Sequence, residues 1–353
     1  MSEESSRDVI LTNVEKLFHA VKRYRKSREF WEIMYMCAKF RHLAPFNSML
    51  VYTQRPGARY VMTESDWMDK YQRSLKPNAR PLVILVPFGP VDFVYDISDT
   101  QPNGDLYKQS DQEILDIIAA PYKTRGEVNM SQMHMLIDAC AYHSIALDLD
   151  MDVGSEIGGQ INFNKAAYKD KDVQLRINKE LTATYPAYYL VSVSKKAEQG
   201  ERFASILHEV AHLLCCHLSA PREWKDWKVR HPSKEAREFE AESASWLICE
   251  HLNIGNPSHK YLANYLNEYD EVPYDFSFDR VCNAYNTLIK MVKPDLRFTY
   301  KDGLVYKYDK NFQDTVKDLF AEEKRRQQRA RNRAANSRRR GSRYQQLTLD
   351  GWE

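Results

Sequence analysis

The chain has 353 residues, of which 43% are hydrophobic and 12% aromatic, a composition typical of a folded globular protein with room for two domains. No run approaches the roughly 18 apolar residues of a membrane-spanning helix, and the N-terminus MSEESSRDVI lacks the basic-then-apolar pattern of a signal peptide. The six cysteines are scattered and form no CxxC pair. The sequence therefore predicts a cytoplasmic protein with free thiols and no membrane partner.

The net charge of +2 hides an uneven distribution of charge along the chain. Between Lys324 and Arg343 there are ten basic residues and no acid, which leaves 41 basic and 49 acidic residues, a balance of −8, elsewhere. Nine of the ten are arginines, whose planar guanidinium groups pair well with phosphate. An acidic body with a basic tail predicts a polyanionic partner for the tail, and nucleic acid is the obvious one.

Hydrophobic periodicity predicts the elements of the first half. Helices are expected at residues 9–24, 30–40, 111–119 and 130–143. The β-rich runs PLVILVPF and VDFVYDI are separated only by Gly89-Pro90 and predict a hairpin. QINFN and VQLRINK alternate apolar and polar residues and predict strands. The turn-forming segment SDTQPNGDL, residues 98–106, predicts a domain boundary.

After Tyr188 the apolar period becomes helical, and helices are expected on both sides of the break bracketed by Pro221 and Pro232. Further helices are expected at 261–268 and 278–292, and a hairpin at YKDGLVYKY. Strands followed by a run of helices predict the α+β class. Three divisions are expected. Residues 1–105 form a small N-terminal α+β domain, and residues 106–310 form a larger second domain with its core at 173–255. Residues 311–353 form a basic helical or disordered tail.

The stretch FASILHEVAHLLCCHL contains an HExxH motif that begins at His208 and ends at His212. Because residues four apart lie one above the other on a helix, both imidazoles can reach one cation. Glu209 is rotated by about 100° from His208, close enough to touch a metal-bound water without being a ligand. The motif therefore predicts a zinc site on this helix.

Zinc in a catalytic site needs a third protein ligand and an open position, and the segment EFEAE offers three glutamates. Glu238 and Glu242 share one helix face, while Glu240 points about 160° away. We expect Glu238 to bind the metal, Glu242 to hold an imidazole N–H behind it, and Glu240 to be a solvated charge. The reverse assignment, in which Glu242 binds the metal and Glu238 lies behind it, stays open. His217 lies on the apolar stripe of the predicted helix, which indicates a core histidine.

HEVAHLLCCH, followed about 30 residues later by EFEAESASW, resembles the two motifs of the ImmA/IrrE-type metallopeptidases. These are gluzincins, in which a glutamate on the next helix follows HExxH. The resemblance implies that His208, His212 and Glu238 bind Zn²⁺ and that Glu209 is the general base of a zinc metallopeptidase acting on a protein or peptide. The chemistry agrees, because zinc acidifies water and polarises a carbonyl while a nearby carboxylate takes the proton.

The segments FNSMLVYTQRPGARYVMTESDW, LVILVPF and VYDISDTQ are similar to the N-terminal domain of ArdC-type antirestriction proteins. In that family the domain binds single-stranded DNA and precedes a zinc peptidase-like domain. The two resemblances imply a small N-terminal α+β domain, then a zincin-like metallopeptidase domain with a helical C-terminal extension, in a mobile element or phage-related system. Basic and aromatic residues suited to single-stranded DNA alternate here: Arg55, Arg59, Lys70, Arg73, Lys76 and Arg80 with Tyr52, Tyr60, Trp67 and Tyr71.

Two other functions stay open at this point. One is an ArdC-like DNA-binding antirestriction protein with a structural zinc, and the other is a regulator that binds a repressor without cutting it. Glu209 favours an enzyme, because a structural site needs no base. In such enzymes the strand beside the active helix commonly receives an extended peptide, and residues 173–179 are the expected strand. The candidates for oxyanion stabilisation are Tyr188, Tyr189 and His231.

Overall fold

The computed structural model of the chain describes residues 27–86, 89, 91–104, 109–119, 126–151, 159–163, 171–255, 265–266 and 271–349. This part contains both helices and sheets, which confirms the α+β class at a coarse level. The predicted helix at 9–24 lies outside the described residues, as does most of the one predicted at 261–268.

The first described elements are three helices and a set of short strands. They are α1 (Ser27–Lys39), α2 (Pro45–Gln54), β1 (Val61–Met62), α3 (Glu64–Tyr71), β2 (Arg73–Leu75), β3 (Leu82–Ile84), β4 (Asp92–Asp96) and β5 (Thr100–Pro102). Pro45 suits the first turn of α2, because a backbone N–H at this position would have no partner within the helix and proline lacks one. β3 pairs with β4 in antiparallel fashion, with Leu82 opposite Val94, so the predicted hairpin is confirmed.

A three-stranded sheet lies at the centre of the second half. The strands of this half are β6 (Ile145–Met151), β7 (Gly159–Phe163), β8 (Asp172–Arg176), β9 (Thr182–Pro186) and β10 (Tyr189–Ser194). In the central sheet the order is β6-β10-β7, with β10 parallel to β6 and antiparallel to β7. β8 and β9 form a separate hairpin. The strands predicted at QINFN and VQLRINK therefore correspond to β7 and β8.

The prediction that the chain becomes helical directly after Tyr188 is wrong, because β10 comes first. Tyr189, Val191 and Val193 are fully buried, and Ser192 between them is also buried. β10 is the middle strand of its sheet, and the burial of consecutive residues shows that both of its faces are covered. A short strand buried in this way reads as a continuous apolar run, which periodicity cannot separate from a helix.

The helices of the second half are α4 (Asp111–Ala119), α5 (Met130–Tyr142), α6 (Gln199–Leu214), α7 (Lys234–His251) and α8 (Phe278–Val292). α6 packs against β7 and β10, and α7 packs against both α6 and α8. The first turn of α6 is closed by a capping box between Glu198 and Glu201. α7 begins after Ser233, whose hydroxyl accepts a hydrogen bond from the N–H of Ala236. These ends fix where the two helices carrying the HExxH and EFEAE segments start.

The hairpin predicted at YKDGLVYKY is wrong. Residues Tyr300–Asp302 form a 3₁₀ turn, and Leu304–Tyr308 form the short helix α9. Gly303 is needed here because a Cβ at this position would lie 2.2 Å from the carbonyl oxygen of Tyr142. The final helix, α10 (Lys310–Leu349), has 40 residues. None of the described helices is both long and apolar enough to cross a membrane.

One hydrophobic cluster includes buried residues from both sides of the predicted boundary at 98–106. Phe30 of α1 packs on Phe239 of α7 with ring centroids 4.8 Å apart, and Trp31 meets Trp246 at 5.8 Å. Helix α1 therefore packs against α7 and helps to hold it in place. The division into segments 1–105, 106–310 and 311–353 stays a prediction.

Candidate metal centre

Helices α6 and α7 bring His208, His212 and Glu238 together. The two histidines lie one turn apart on α6, with their Nε2 atoms separated by 3.2 Å. Glu238 Oε2 lies 3.4 Å from His208 Nε2 and 3.5 Å from His212 Nε2. The three donor atoms form a nearly equilateral triangle, which we call the donor triangle.

The donor triangle has the dimensions that a small tetrahedral ion requires. Zinc binds histidine nitrogen and carboxylate oxygen at about 2.0–2.2 Å, so two ligands of a tetrahedral zinc lie about 3.3 Å apart. The separations of 3.2, 3.4 and 3.5 Å are within a few tenths of an ångström of that value. Three protein ligands also leave one tetrahedral position for water or substrate. The donor triangle could therefore hold a metal ion with an open position.

Glu242 lies one turn beyond Glu238 on α7 and contacts the opposite side of the His208 ring. Its Oε2 is 2.6 Å from His208 Nδ1, which leaves Nε2 of that ring facing the donor triangle. A carboxylate in this position fixes the tautomer and the orientation of a ligating imidazole. Of the two glutamates on this face, Glu238 has the position of a metal ligand, and Glu242 has the position of a residue that supports the ligand His208.

The carboxylates make the donor triangle strongly attractive to positive charge. Burial acts to lower the pKa of His208, but hydrogen bonds to Glu238 and Glu242 outweigh it and raise that pKa to about 10. Burial acts to raise the pKa of Glu238, yet hydrogen bonds from His208 and His212 hold it below its ordinary value. Either a proton on His208 or a bound cation would compensate the negative charge of Glu238 and Glu242. A cation is therefore expected to displace the proton.

Glu209 is buried beside the donor triangle, against the first residue of β7. A Cβ at Gly159 would lie 3.3 Å from Glu209 Cγ, so the glycine leaves room for this side chain. Burial is the main cause that raises the pKa of Glu209 to about 7, and a hydrogen bond from the backbone N–H of Ile161 acts in the opposite direction. A carboxyl group with this pKa can accept and release a proton near neutral pH.

The prediction that residues 173–179 form the strand beside the active helix is wrong. Most of these residues belong to β8, which pairs with β9 and packs against α5. β7 has the expected place instead, because Gly159 contacts Glu209 and the strand packs on α6. β7 is also one of the two edge strands of its sheet, and among the described residues only β10 pairs with it.

Two of the three residues expected to stabilise an oxyanion are part of the core. Tyr188 and Tyr189 pack on Trp224, and the hydroxyl of Tyr189 donates to the carbonyl oxygen of Ser219 at 3.0 Å. His231 is exposed on the segment that precedes α7. Sequence reasoning missed Tyr265, whose pKa is raised by burial and by the nearby charges of Glu238 and Glu242. No motif in the sequence marks this tyrosine.

The interpretation of Glu240 as a solvated charge is also wrong. Its side chain is 0% exposed, and Oε2 lies 2.9 Å from His217 Nε2. His217 is buried as expected, but it does not lie on the apolar stripe of a continuing helix. α6 ends at Leu214, and the backbone of Cys216 is left-handed with φ of 64°, which turns the chain back at this point.

Several residues of the expected DNA-binding surface of the N-terminal segment are buried or paired within the protein. Trp67 and Tyr52 are buried, with 0% and 6% exposure, so neither presents a free ring face for a base. Arg73 is 3% exposed and binds Asp111 at 2.5 Å. Three of the other basic residues also pair within the protein: Arg55 with Asp99, Arg59 with Asp111 and Lys70 with Asp66.

Comparison of the chain with protein-family models, with curated proteins and with solved structures gave no match in any of the three.

Proposed function

We propose that this protein is a zinc-dependent metallopeptidase in which His208, His212 and Glu238 hold the zinc, as its resemblance to the ImmA/IrrE-type enzymes implies. The observation that carries the proposal is the donor triangle with the buried Glu209 beside it. A structural zinc site normally has four protein ligands and no need of a neighbouring base. Three ligands and a neighbouring buried carboxyl group that can act as a base are what a hydrolytic site uses.

Each residue of the site then has a defined task. Zinc bound at the donor triangle would polarise a peptide carbonyl and acidify a water molecule. Glu209 accepts the proton of the attacking water and returns it to the leaving amine. Glu242 keeps the ring of His208 oriented toward the triangle.

The edge of β7 provides a place for an extended segment of a protein substrate. An added strand would form main-chain hydrogen bonds with β7 and would pass next to Glu209, which lies against Gly159. We propose a protein partner, such as a repressor or regulator, as the substrate of a cytoplasmic enzyme linked to a mobile element or phage-related system.

The proposal is tested with zinc and a mixture of peptides. We expect the purified chain to bind one zinc ion by elemental analysis. The zinc-loaded protein is incubated with a tryptic digest of bacterial cell protein, and new peptide ends are identified by mass spectrometry. New ends that depend on zinc and disappear after chelation support the proposal. Stoichiometric zinc without any new ends would favour a structural zinc site.

A second activity, binding of nucleic acid, is supported by the C-terminal helix. All side chains from residue 324 to residue 337 are exposed, including Lys324, Arg325 and Arg326. These basic groups lie on all sides of α10, so they can contact phosphates without a particular base sequence. This activity agrees with the resemblance to ArdC-type proteins, although the burial of Trp67 and Arg73 favours the tail over the N-terminal segment.

Deletion of residues 324–353 is expected to flatten the salt dependence of DNA binding and to leave zinc content unchanged. Each phosphate contact that is lost lowers the slope of log affinity against log salt by about 0.7–0.9. The matched control deletes only residues 344–353, which contain no lysine or arginine, and should keep the parent slope. Both slopes are measured by fluorescence anisotropy on one oligonucleotide. Equal slopes for the long deletion and the parent would exclude phosphate contacts by the tail.

A further inference from the structure

A buried chain of hydrogen bonds leads from the outer nitrogen of His212 to Glu240. His212 Nδ1 lies 3.0 Å from His217 Nδ1, and His217 Nε2 lies 2.9 Å from Glu240 Oε2. The side chains of His217 and Glu240 are 1% and 0% exposed. Neither residue belongs to the donor triangle, so this chain of contacts needs an explanation of its own.

The end of α6 places His217 against His212. On a continuing helix residue 217 would lie about 140° around the axis from residue 212 and could not touch its ring. The left-handed backbone of Cys216 ends the helix, and the N–H of His217 then donates to the carbonyl oxygen of His212 at 3.0 Å. The turn therefore brings the two rings within hydrogen-bond distance.

The direction of the hydrogen bonds follows from what each group can donate. When Nε2 of His212 binds a cation, Nδ1 carries the ring proton. That N–H donates to Nδ1 of His217, which must then carry its own proton on Nε2 and donate it to Glu240. An ionised carboxylate only accepts, so the order of donors along the chain is fixed.

Glu240 is kept ionised by its other partners. Arg230 donates to both carboxylate oxygens, at 2.6 and 3.0 Å, and the N–H of Ser277 donates to Oε1 at 2.8 Å. Donors therefore surround both oxygens of the carboxylate, which leaves Glu240 as an acceptor for His217.

The same residues could be read as a second metal site, since donor atoms of Cys215, His217 and Glu240 lie within 4.8 Å of one another. The contacts of Arg230 argue against that reading. Its guanidinium occupies both oxygens of Glu240 and would repel a cation.

We propose that His217 and Glu240 are positioning residues that fix the tautomer and the ring orientation of His212, so that its Nε2 faces the cation. This inference rests on the proposed metal-binding function of the donor triangle. His208 has the equivalent support from Glu242 at 2.6 Å. A carboxylate thus holds each imidazole, directly for His208 and through His217 for His212.

The test compares zinc affinity in three variants by competition with a chelator. His217→Leu removes both hydrogen bonds, and we expect its zinc dissociation constant to rise by about 10–100-fold. His217→Gln keeps a donor and an acceptor and should recover most of the affinity. Cys215→Ala leaves the hydrogen-bond chain intact and should bind one zinc as tightly as the parent.

A second measurement separates positioning from loss of structure. Long-range ¹⁵N–¹H NMR spectra of the metal-free protein report which nitrogen of His212 carries the proton. We expect the Nδ1–H tautomer in the parent and a mixture in His217→Leu, while denaturant unfolding checks that the variant is folded. If the leucine variant does not fold, the tautomer of the parent decides, and a predominant Nε2–H form would overturn the inference.

The outcomes distinguish this inference from the proposed function. Equal zinc affinity in the parent and a folded His217→Leu would overturn the positioning role and leave the metallopeptidase proposal standing. A parent protein that binds no zinc would overturn both. A second zinc equivalent that disappears in Cys215→Ala would show a second metal site in place of a support for His212.

Discussion

Replacement of Glu209 by glutamine is expected to lower zinc-dependent peptide hydrolysis by about 10²–10⁴-fold, because an amide cannot take the proton of the attacking water. Zinc binding should persist, since Glu209 is not part of the donor triangle. The fold should persist as well, because burial already opposes the charged form of this carboxyl group. The measurement is the rate at which new peptide ends form in the peptide mixture, at equal zinc content.

The matched control for this prediction is Glu201→Gln, a change of the same kind on the same helix. Glu201 is exposed in the first turn of α6, where it closes the capping box, and it should be replaceable with little effect on the rate. If Glu209→Gln cut peptides as fast as Glu201→Gln, Glu209 would not be the general base. Its burial beside the donor triangle would then need another explanation.

Replacement of Glu238 by alanine is expected to release the metal, whereas Glu242→Ala should weaken zinc binding by only about 10–100-fold. The difference follows from position. Glu238 Oε2 lies 3.4 and 3.5 Å from the inward-facing nitrogens of both histidines, while Glu242 Oε2 contacts His208 Nδ1 from behind. Loss of Glu238 leaves only two protein ligands for the metal. Loss of Glu242 leaves all three ligands, but the ring of His208 is less well oriented.

Zinc competition titrations on the two variants check this order, with Glu235→Ala as the control. Glu235 lies on α7, is exposed, and should have no effect on zinc affinity. The reverse order, with Glu242→Ala losing zinc and Glu238→Ala retaining it, would make Glu242 the ligand. The present assignment of the donor triangle would then be incorrect.

The sequence was sufficient to predict the parts of the site that depend on one helix. Phe203, Ile206, Leu207 and Val210 recur at helical spacing, and all four are fully buried in α6. Since side chains four residues apart lie on the same side of a helix, the HExxH spacing alone predicts that both imidazoles meet. The same periodicity predicts that Glu238 and Glu242 share a face of α7, as they do.

The positions of strands that do not pair with their neighbour along the chain depended on the tertiary structure. The β3–β4 hairpin was predictable because its two strands are adjacent in the chain. β10 was missed because it is covered on both faces, and β7 rather than β8 lies beside Glu209 because of how the central sheet packs on α6. Neither fact is encoded in the alternation of apolar and polar residues, which reports only whether one face of a strand is buried.

The largest difference between the expected and the observed site concerns Glu240 and His217. Helix geometry correctly predicts that Glu240 points away from Glu238, but the prediction that it is solvated is wrong. His217 is buried as predicted, although the helix ends before it. α7 is covered by α6 on one side and by α8 on another, so a residue pointing away from Glu238 points into the protein and not into water. His217 contacts His212 only because Cys216 ends α6 in a left-handed turn. Helical periodicity determines which residues share a face, whereas the number of covered faces and the place where a helix ends are decided by the packing of the whole chain.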